Sequence, residues 1–471
     1  MNPLLAAVIY ICGIAGLFYL DRDRTVRISK ALWLPVLYFC IIGSRPVSSW
    51  LGLSPTGTNV QLEGSPFDAA IFGILECASI AALVPRRNKV LRLLAANWPI
   101  VLYFFYCLIS VTWSSHPEVS LKRWFKSLSD ITMVLIVITD ARPFTAFRKL
   151  ICRVGFVLLP TSLLLIKYFE HLGRAYSPIG EIENTGVTTN KNILGVVLLV
   201  ITLGTLWHVM ALVRDKTCAN RRRHLVAHCV LLAFGIWLLL TAHSATSMAC
   251  FCLGAGLMLA TNHKWIKRRP SRVQWLCLVL VVGGALTFFF SGQTGVASAL
   301  GRSATLSGRT DIWAALLPTV PNPIVGAGYE SYWIGPGAET LWRTLGQAGW
   351  WHPEILVTEA HDGYIEMYLN LGWIGVLLIS TVLITGYRRA VAAFKKEPSV
   401  GCLMLAYVMV SAVYSITEAG FRSPDPMWIF LLWAIVSSSG LTMGIACESK
   451  EPRRTIRKNP SPIAAEQVSW A

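Results

Sequence analysis

The chain has 471 residues, of which 54% are hydrophobic and only 14% are charged, and its mean hydropathy is +0.54. A soluble domain carries roughly a quarter charged residues, so this composition excludes a water-soluble globular protein. The formal net charge of +17 would suit nucleic acid, but the basic residues are distributed in clusters between apolar segments, which argues against a nucleic-acid partner.

Apolar segments of about 15–22 residues recur along the chain, and this length crosses the hydrocarbon core of a bilayer. They predict an all-α integral membrane protein of 12–13 transmembrane helices, since one or two segments could merge or lie at the interface. The membrane domain covers 1–446, and a basic, disordered tail covers 447–471. The thirteen predicted spans are 3–20, 31–50, 68–84, 94–113, 124–140, 150–169, 193–213, 225–243, 245–262, 275–290, 364–386, 401–418 and 427–446.

Basic clusters follow the odd-numbered spans, whereas the other connections contain fewer basic residues. Lys and Arg concentrate in cytoplasmic loops, where they also contact lipid headgroups. This alternation predicts an N-terminus outside the cytoplasm and a C-terminus inside it. The first span precedes Asp-Arg-Asp-Arg instead of a small-residue cleavage site, which predicts a retained helix. The clusters begin at Arg22, Arg86, Arg142, Lys216, Lys264, Arg388 and Arg453.

Three longer connections, 51–67, 170–192 and 291–362, fall on the outer side. The third is the one long polar stretch between spans, and short helices are predicted in it at 307–317 and 338–350. Trp and Tyr occur throughout this loop and favour the membrane interface. The loop is therefore predicted to lie on the outer leaflet.

Two residues of the third loop could carry chemistry. Arg309 enters a predicted helix, where its planar donors and the free backbone N–H groups suit a phosphate. His361 immediately precedes a span and could accept a proton from a hydroxyl. Each has a structural alternative: Arg309 could pair with Asp311 or with headgroups, and His361 could bond a neighbour at a helix entry, with Glu359 orienting it.

Cations also occur on the outer side, against the charge rule. If these cations are gathered around a cleft, they would suit a diphosphate-linked lipid. Isolated cationic side chains could instead extend to the membrane interface. They are Lys122, Arg123, Lys126, Arg174 and Lys191, with Asn192 beside the last.

Other polar groups have structural explanations. Glu418 and Arg422 flank the outer end of the twelfth span and could form a pair, and the hydroxyls of 243–247 could serve helix packing.

Twelve cysteines lie mostly in apolar spans or cytoplasmic connections without a C-x-x-C motif. Packing is therefore predicted for them, and no metal site. Walker and dinucleotide motifs are absent from the sequence, so no cofactor is predicted.

Four segments together resemble the O-antigen ligase and polysaccharide polymerase superfamily and, within it, the ExoQ-like exopolysaccharide polymerases. The resemblance covers about 90–440. It rests on GVTTNKNILG (186–195), TLSGRTDIW (305–313), PNPIVGAGY (321–329) and EAHDGYIEMYLNLGWIGV (359–376).

The resemblance implies an inner-membrane glycosyltransferase that polymerises undecaprenyl-diphosphate-linked repeats at the periplasmic face, without metal or nucleotide sugar. Arg309 would bind the diphosphate and His361 would activate the acceptor hydroxyl. Implied partners are the lipid-linked donor, a glycan acceptor and membrane lipid, with a chain-length regulator and export proteins as further candidates. The candidate substrate-binding residues are Arg123, Arg174, Lys191, Asn192 and Glu418.

Two departures from the family pattern bear on this reading. Many ligases carry an arginine in the junction that reads HSATS here (243–247), which favours polymerase over ligase, and Asp362 replaces a frequent Asn. An O-antigen ligase acting on a lipid A core remains an alternative, as do a scaffold and a transporter or flippase of lipid-linked glycans. Sparse intramembrane charge and motifs in one outer loop favour an enzyme over a transporter.

Overall fold

The computed structural model describes residues 2–23, 28–53, 64–176, 180–216, 220–279, 283, 312–347 and 357–446. The predicted site residue Arg309 lies outside these ranges, as do Asp311, most of the tenth predicted span and the predicted tail. Within them the chain is a mostly helical, multi-pass membrane protein. Six helices are long and apolar enough to cross a bilayer, and five shorter apolar helices accompany them, which confirms the predicted fold class.

The helices of the first half are α1 (Pro3–Leu20), α2 (Trp33–Ile42), α3 (Val47–Trp50), α4 (Pro66–Leu83), α5 (Arg87–Ala96), α6 (Trp98–Ser110), α7 (Pro117–Ile138), α8 (Pro143–Tyr168) and α9 (Glu170–Gly173). A short antiparallel hairpin of β1 (Arg174–Tyr176) and β2 (Ile182–Asn184) follows them. The remaining helices are α10 (Lys191–Arg214), α11 (Arg221–Thr241), α12 (Ala245–Thr261), α13 (Lys264–Arg268), α14 (Pro336–Gln347), α15 (Gly363–Lys396), α16 (Pro398–Tyr414) and α17 (Pro426–Thr442).

The predicted spans coincide with described helices, apart from 275–290, of which few residues are described. The predicted span 31–50 is divided into α2 and α3 in the structure. Pro46 lies between them, because a proline has no N–H to donate and restricts the backbone of Arg45 before it. The main-chain N–H of Arg45 donates instead to the carbonyl oxygen of Val187, 2.9 Å away.

The centre of the bundle is formed by α17, whose residues from Pro426 to Leu441 are all buried. It packs against α7, α15 and α16, and α10 packs against α11 and α12. Stacked rings of Phe147 and Trp433, with centroids 3.6 Å apart, join α8 to α17. In contrast, α1 lies at the periphery with most side chains exposed, as expected for a helix facing lipid.

The outer loop has a small core of its own. A helical turn at 312–316 and α14 occupy positions near the two predicted short helices. Tyr332 and Trp333 are buried with Leu316, Leu341 and other apolar side chains of this segment. These two aromatic residues therefore stabilise the loop instead of lying at the membrane interface, which differs from the sequence-based expectation.

Residues 321–329 pack directly onto a break in α15. Gly372 has φ +62° inside that helix, and the N–H groups of Trp373 and Ile374 donate to carbonyl oxygens of Pro323 and Ile324. The N–H groups of the loop donate in return to carbonyl oxygens of α15. A Cβ on Gly372 would lie 2.2 Å from the carbonyl oxygen of Ile324, so glycine is required for this approach.

Candidate active site

A cavity of about 380 Å³ lies where the starts of α7, α10 and α17 meet the end of α16. Three cationic side chains and four carboxylates line it. The cations are Arg123, Lys126 and Arg422, and the carboxylates are Glu330, Glu359, Glu418 and Asp425. The cavity thus combines groups that bind anions with groups that bind sugar hydroxyls or accept protons.

His361 lies at the rim of this cavity, held between two of its carboxylates. Its Nδ1 is 3.0 Å from Oε1 of Glu359 and 3.5 Å from Oε2 of Glu418. The imidazole is about one-third exposed, whereas Glu418 is buried. Asn192 donates its amide to Glu418 Oε2 at 3.4 Å. An imidazole beside carboxylates can accept a proton, because the resulting positive charge is stabilised.

The main chain around His361 is clamped on both sides. The N–H of Ala360 donates to Oε1 of Glu366 at 2.6 Å, and its carbonyl oxygen accepts from Nε1 of Trp313 at 2.9 Å. Trp333 also donates to Glu366, at 2.9 Å. His361 itself has φ +49°, a conformation that costs free energy for a non-glycine residue and persists only where surrounding contacts enforce it.

Asp362 begins α15 by capping its free N–H groups. Its Oδ1 accepts from the N–H groups of Tyr364 and Ile365 at 2.8 and 2.9 Å. The N–H of Gly363 donates to the carbonyl oxygen of Ser415 at 2.7 Å. These bonds join the histidine segment to the loop that carries Glu418, because Ser415 begins that loop.

Glu330 connects two of the cavity's cations. Its Oε2 accepts from Nε of Arg422 at 3.1 Å, and its carbonyl oxygen accepts from the guanidinium of Arg123. The Glu330 carboxylate raises the pKa of Arg422 further above its usual value, so this guanidinium stays charged. Lys126 lies 4.3 Å from the ring centroid of Phe72, within cation–π range. The cations are therefore held in place before any ligand binds.

The loop between α16 and α17 is tied to the bundle at its end. Ser423 donates to Oδ2 of Asp130 at 2.6 Å, and Tyr38 donates to the other oxygen at 2.6 Å. Asp425 caps α17 through the N–H of Met427. Burial, with the Glu359 carboxylate adding to it, raises the pKa of Asp425 to about 7.

The structure brings together four of the sequence-predicted site residues. Arg123, Asn192 and Glu418 line the cavity, and His361 borders it. Two others are placed elsewhere. Lys191 forms an ion pair with Glu183 of the hairpin at 2.8 Å, and Arg174 pairs with Glu170 at 3.0 Å; neither lines the cavity. Arg422 forms an ion pair with Glu330 at 3.1 Å instead of the expected pair with Glu418.

Glu330 and Asp425 were not found by sequence reasoning. Glu330 directly follows the glycine-rich segment 321–329 and has φ +51°, and Asp425 lies between two prolines. A single acidic residue in a polar loop is most often solvent-exposed, so the sequence pattern alone did not single them out.

The segment 186–195 has a mainly architectural role. Gly186, at φ +54°, turns against Ser162, and Asn190 caps α10 by accepting from the N–H of Ile193 at 2.8 Å. Gly195 lies against Ser244 and Ser247 of the 243–247 junction, which supports packing as the role of those hydroxyls. Together these contacts place Asn192 at the cavity.

The donor atoms of Glu359, His361 and Glu418 lie within 4.8 Å of one another. That spacing suits a shared proton or a hydrogen-bonded sugar hydroxyl, and it would also suit a metal ion. Measuring activity with and without a chelator distinguishes a proton-transfer role of this group from metal binding.

Parts of the chain match known proteins. Residues 229–380 match the family described as O-Antigen ligase, a stretch that contains His361 and the described part of the outer loop. The chain is also 28% identical over 303 residues to "Exopolysaccharide production protein ExoQ" of Rhizobium meliloti (strain 1021). The alignment covers 62% of this chain and 64% of that relative.

Proposed function

We propose that this multi-pass membrane protein, which matches the O-antigen ligase family over residues 229–380, polymerises glycan repeats linked to undecaprenyl diphosphate. The reaction takes place at the periplasmic face of the bacterial inner membrane, and the product is an exopolysaccharide. The chain spans 64% of the length of the exopolysaccharide production protein that it resembles, and this resemblance supports the proposal.

One observation carries the proposal: His361 lies between Glu359 and Glu418 at the rim of a cavity that also contains three cations. A lipid-linked donor presents a diphosphate, which cations bind, and a sugar, whose hydroxyls carboxylates and amides bind. The acceptor needs a base for its hydroxyl proton. The cavity offers both sets of groups at one end of the bundle.

In the proposed step the acceptor hydroxyl oxygen attacks the anomeric carbon of the donor sugar. The bond from that carbon to the diphosphate oxygen breaks, and the hydroxyl proton moves to His361. Glu359 and Glu418 stabilise the imidazolium that forms. The electron pair leaves with undecaprenyl diphosphate, so atoms and charge balance without an external oxidant, reductant or nucleotide.

Arg123, Lys126 and Arg422 would stabilise the diphosphate as it leaves. In the free protein Arg422 donates to the Glu330 carboxylate and Arg123 donates to the main-chain carbonyl oxygen of Glu330, so the incoming diphosphate competes with both contacts. Arg309 stays a proposed diphosphate ligand on the strength of the family resemblance, since it lies outside the described residues.

The test is a reconstituted assay in liposomes with lipid-linked oligosaccharide repeats as the only substrate, in EDTA and without ATP. Wild-type protein is expected to yield a ladder of longer lipid-linked glycans on a gel. The ladder is expected to vanish in His361→Ala, and His171→Ala serves as the control because His171 is an exposed histidine outside the cavity.

Each other outcome selects a different function. Transfer only after a lipid A core is added indicates an O-antigen ligase. Translocation of lipid without any transfer indicates a flippase. A ladder that requires a divalent cation would show that a metal takes part, with the Glu359, His361 and Glu418 group as the candidate site at the cavity. A full ladder in His361→Ala would refute the catalytic role.

The same assay compares a predicted cation that lines the cavity, Arg123, with one that does not, Arg174. Arg123→Ala is expected to raise KM for the donor about tenfold or more, since a charge-assisted hydrogen bond is worth about 1.5–3 kcal/mol. Arg174→Ala is the matched control, because Arg174 pairs with Glu170 away from the cavity. Equal effects of the two variants would contradict the assignment of the cavity as the diphosphate site.

A further inference from the structure

A second polar cluster lies at the other end of the bundle, and the proposed function does not use it. It gathers side chains from the end of α1, from α8 and from α11. Asp21 Oδ1 is 3.0 Å from Nε2 of His228 and 3.3 Å from Nδ1 of His224. The Sγ of Cys152 is 3.6–3.8 Å from the ring nitrogens of His228. All four side chains are largely or fully buried.

The cluster is separate from the cavity. His208, whose ring lies 4.3 Å from that of His228, is on the same helix as Asn192 at the cavity. Sixteen residues separate the two positions (208 − 192), which corresponds to about 24 Å along a helix axis. The two groups are therefore independent sites at opposite ends of α10.

We propose that this cluster binds a borderline divalent metal ion, with zinc the best match to its donors. Asp21, Cys152 and His228 offer a carboxylate oxygen, a thiolate sulfur and an imidazole nitrogen within 4.8 Å of one another. This set is typical of Zn²⁺ sites and unlike the all-oxygen sites of Mg²⁺ or Ca²⁺. A metal at this cluster would differ from the sequence-based prediction that the cysteines serve for packing and that there is no metal site.

The distances agree with a tetrahedral site. Metal–ligand bonds of about 2.0–2.3 Å give tetrahedral edges of about 3.3–3.8 Å. From Nε2 of His228, Cys152 Sγ is 3.8 Å away and Asp21 Oδ1 is 3.0 Å away, so a shift of Asp21 by a few tenths of an ångström would place both within this range. His224 Nδ1 lies 3.3 Å from Asp21 Oδ1 and orients that carboxylate, but it is not one of the three donors that lie within 4.8 Å of one another.

Two further features support a bound ion over a simple polar cluster. His208 Nδ1 is buried without a hydrogen-bond partner among the described residues, although its ring borders the cluster. Lys149 holds the far side of Asp21, with Nζ 2.5 Å from Oδ2 and 2.8 Å from the carbonyl oxygen. Among the described residues, Oδ1 of Asp21 is bonded by His224 and His228 and not by Lys149, as expected for a metal-ligating carboxylate held from behind.

The site would hold α1 against the bundle, since Asp21 directly follows that peripheral helix. On binding, the Cys152 thiol loses its proton and His228 binds as a neutral imidazole. Binding to the folded state alone raises the thermal midpoint in a concentration-dependent manner, which gives a readout that does not depend on glycan transfer.

The experiment uses the full-length protein, purified in detergent, stripped with chelator and titrated with Co²⁺. One Co²⁺ per chain is expected, with a thiolate-to-metal charge-transfer band that Zn²⁺ displaces, and Zn²⁺ is expected to raise Tm. Cys152→Ser is expected to lose the band. Cys402→Ser, which removes an equally buried cysteine outside the cluster, is expected to retain it.

His228→Gln provides a second variant in case Cys152→Ser does not fold, and it is expected to weaken Co²⁺ binding at least tenfold. Wild-type protein that shows no thiolate band would overturn the proposal whatever the variants do. So would a band that persists in Cys152→Ser. Binding of Co²⁺ without a thiolate band would place the ion at the Glu359, His361 and Glu418 group instead.

Discussion

At the scale of single residues, the orientation of His361 depends on its main chain as much as on its side-chain partners. Glu366 accepts from Ala360 and from Trp333, and it thereby joins the residue before His361 to the core of the outer loop. Glu366 touches no cavity group in these contacts, so we regard it as a positioning residue.

Replacing Glu366 is expected to lower turnover without weakening donor binding. In Glu366→Gln one of the two acceptor oxygens becomes an NH₂ group, so either Ala360 loses its acceptor at 2.6 Å or Trp333 loses the nearer of its two acceptors, at 2.9 Å. A misplacement of about 1 Å at a reacting group costs up to about a hundredfold in rate, so kcat should fall about tenfold to a hundredfold with little change in KM. Steady-state kinetics test this, with Glu339→Gln, at an exposed position of α14, as the control. A change confined to KM would contradict the positioning role.

The carboxyl of Asp425 predicts a pH dependence of donor binding. Because burial raises its pKa to about 7, the carboxyl is mostly neutral below that pH and mostly anionic above it. The added negative charge repels the diphosphate, so KM for the donor should rise severalfold from about pH 6 to about pH 8. In Asp425→Asn the side chain stays neutral and still caps α17, so the KM rise should disappear. An identical rise in the variant would exclude Asp425 as its source.

At the scale of elements, the interlock of residues 321–329 with α15 explains why this segment is rich in glycine. Gly326 and Gly328 have φ of +70° and +98°, and a Cβ on Gly326 would lie 2.4 Å from the main chain of Asn370. The loop fills the break at Gly372, satisfying main-chain N–H groups that an unbroken helix would bond internally. Since α15 begins directly after His361, the interlock also fixes the histidine segment.

Gly372→Ala is expected to destabilise the protein. A non-glycine residue at positive φ costs about 1–3 kcal/mol, and the new methyl group would clash with the carbonyl oxygen of Ile324. Thermal unfolding in detergent should show a lower Tm and a parallel loss of activity. Gly346→Ala is the matched control, because nothing lies within 4 Å of its Cβ position and alanine favours a helix. Similar Tm values for the two variants would contradict the claim that the packing of residues 321–329 against α15 requires glycine at position 372.

At the scale of the whole molecule, the alternation of basic clusters predicts which end of the bundle faces the periplasm. The cavity lies at the ends of helices that this rule places outside, and the Asp21 cluster lies at the other end. The two sites therefore fall on opposite sides of the membrane if the charge rule holds.

Reporter fusions test this orientation. A periplasm-active reporter fused at residue 340, within α14, is expected to be active, and one fused at residue 395, near the end of α15, is expected to be inactive. Protein level by immunoblot controls for expression. The reverse pattern would place the cavity in the cytoplasm and contradict periplasmic polymerisation.

The sequence by itself predicted the membrane class and the positions of the described helices, because backbone buried in lipid must bond internally and so sets span length and hydropathy. Its motifs also showed the resemblance to the O-antigen ligase family, which residues 229–380 match. The sequence also singled out His361, Asn192, Arg123 and Glu418, whose residue types suit phosphate or proton chemistry. Sequence patterns are local, however, and they record only neighbours along the chain.

Only the tertiary structure decided which charges meet. It brought Glu330 next to Arg422 across 92 positions and left Arg174 and Lys191 in pairs beside the hairpin. It also placed Asp21, Cys152 and His228 together from three separate helices. The physical reason is that buried charges must find partners, and which partners are within reach depends on how the helices pack, which no segment of the sequence specifies alone.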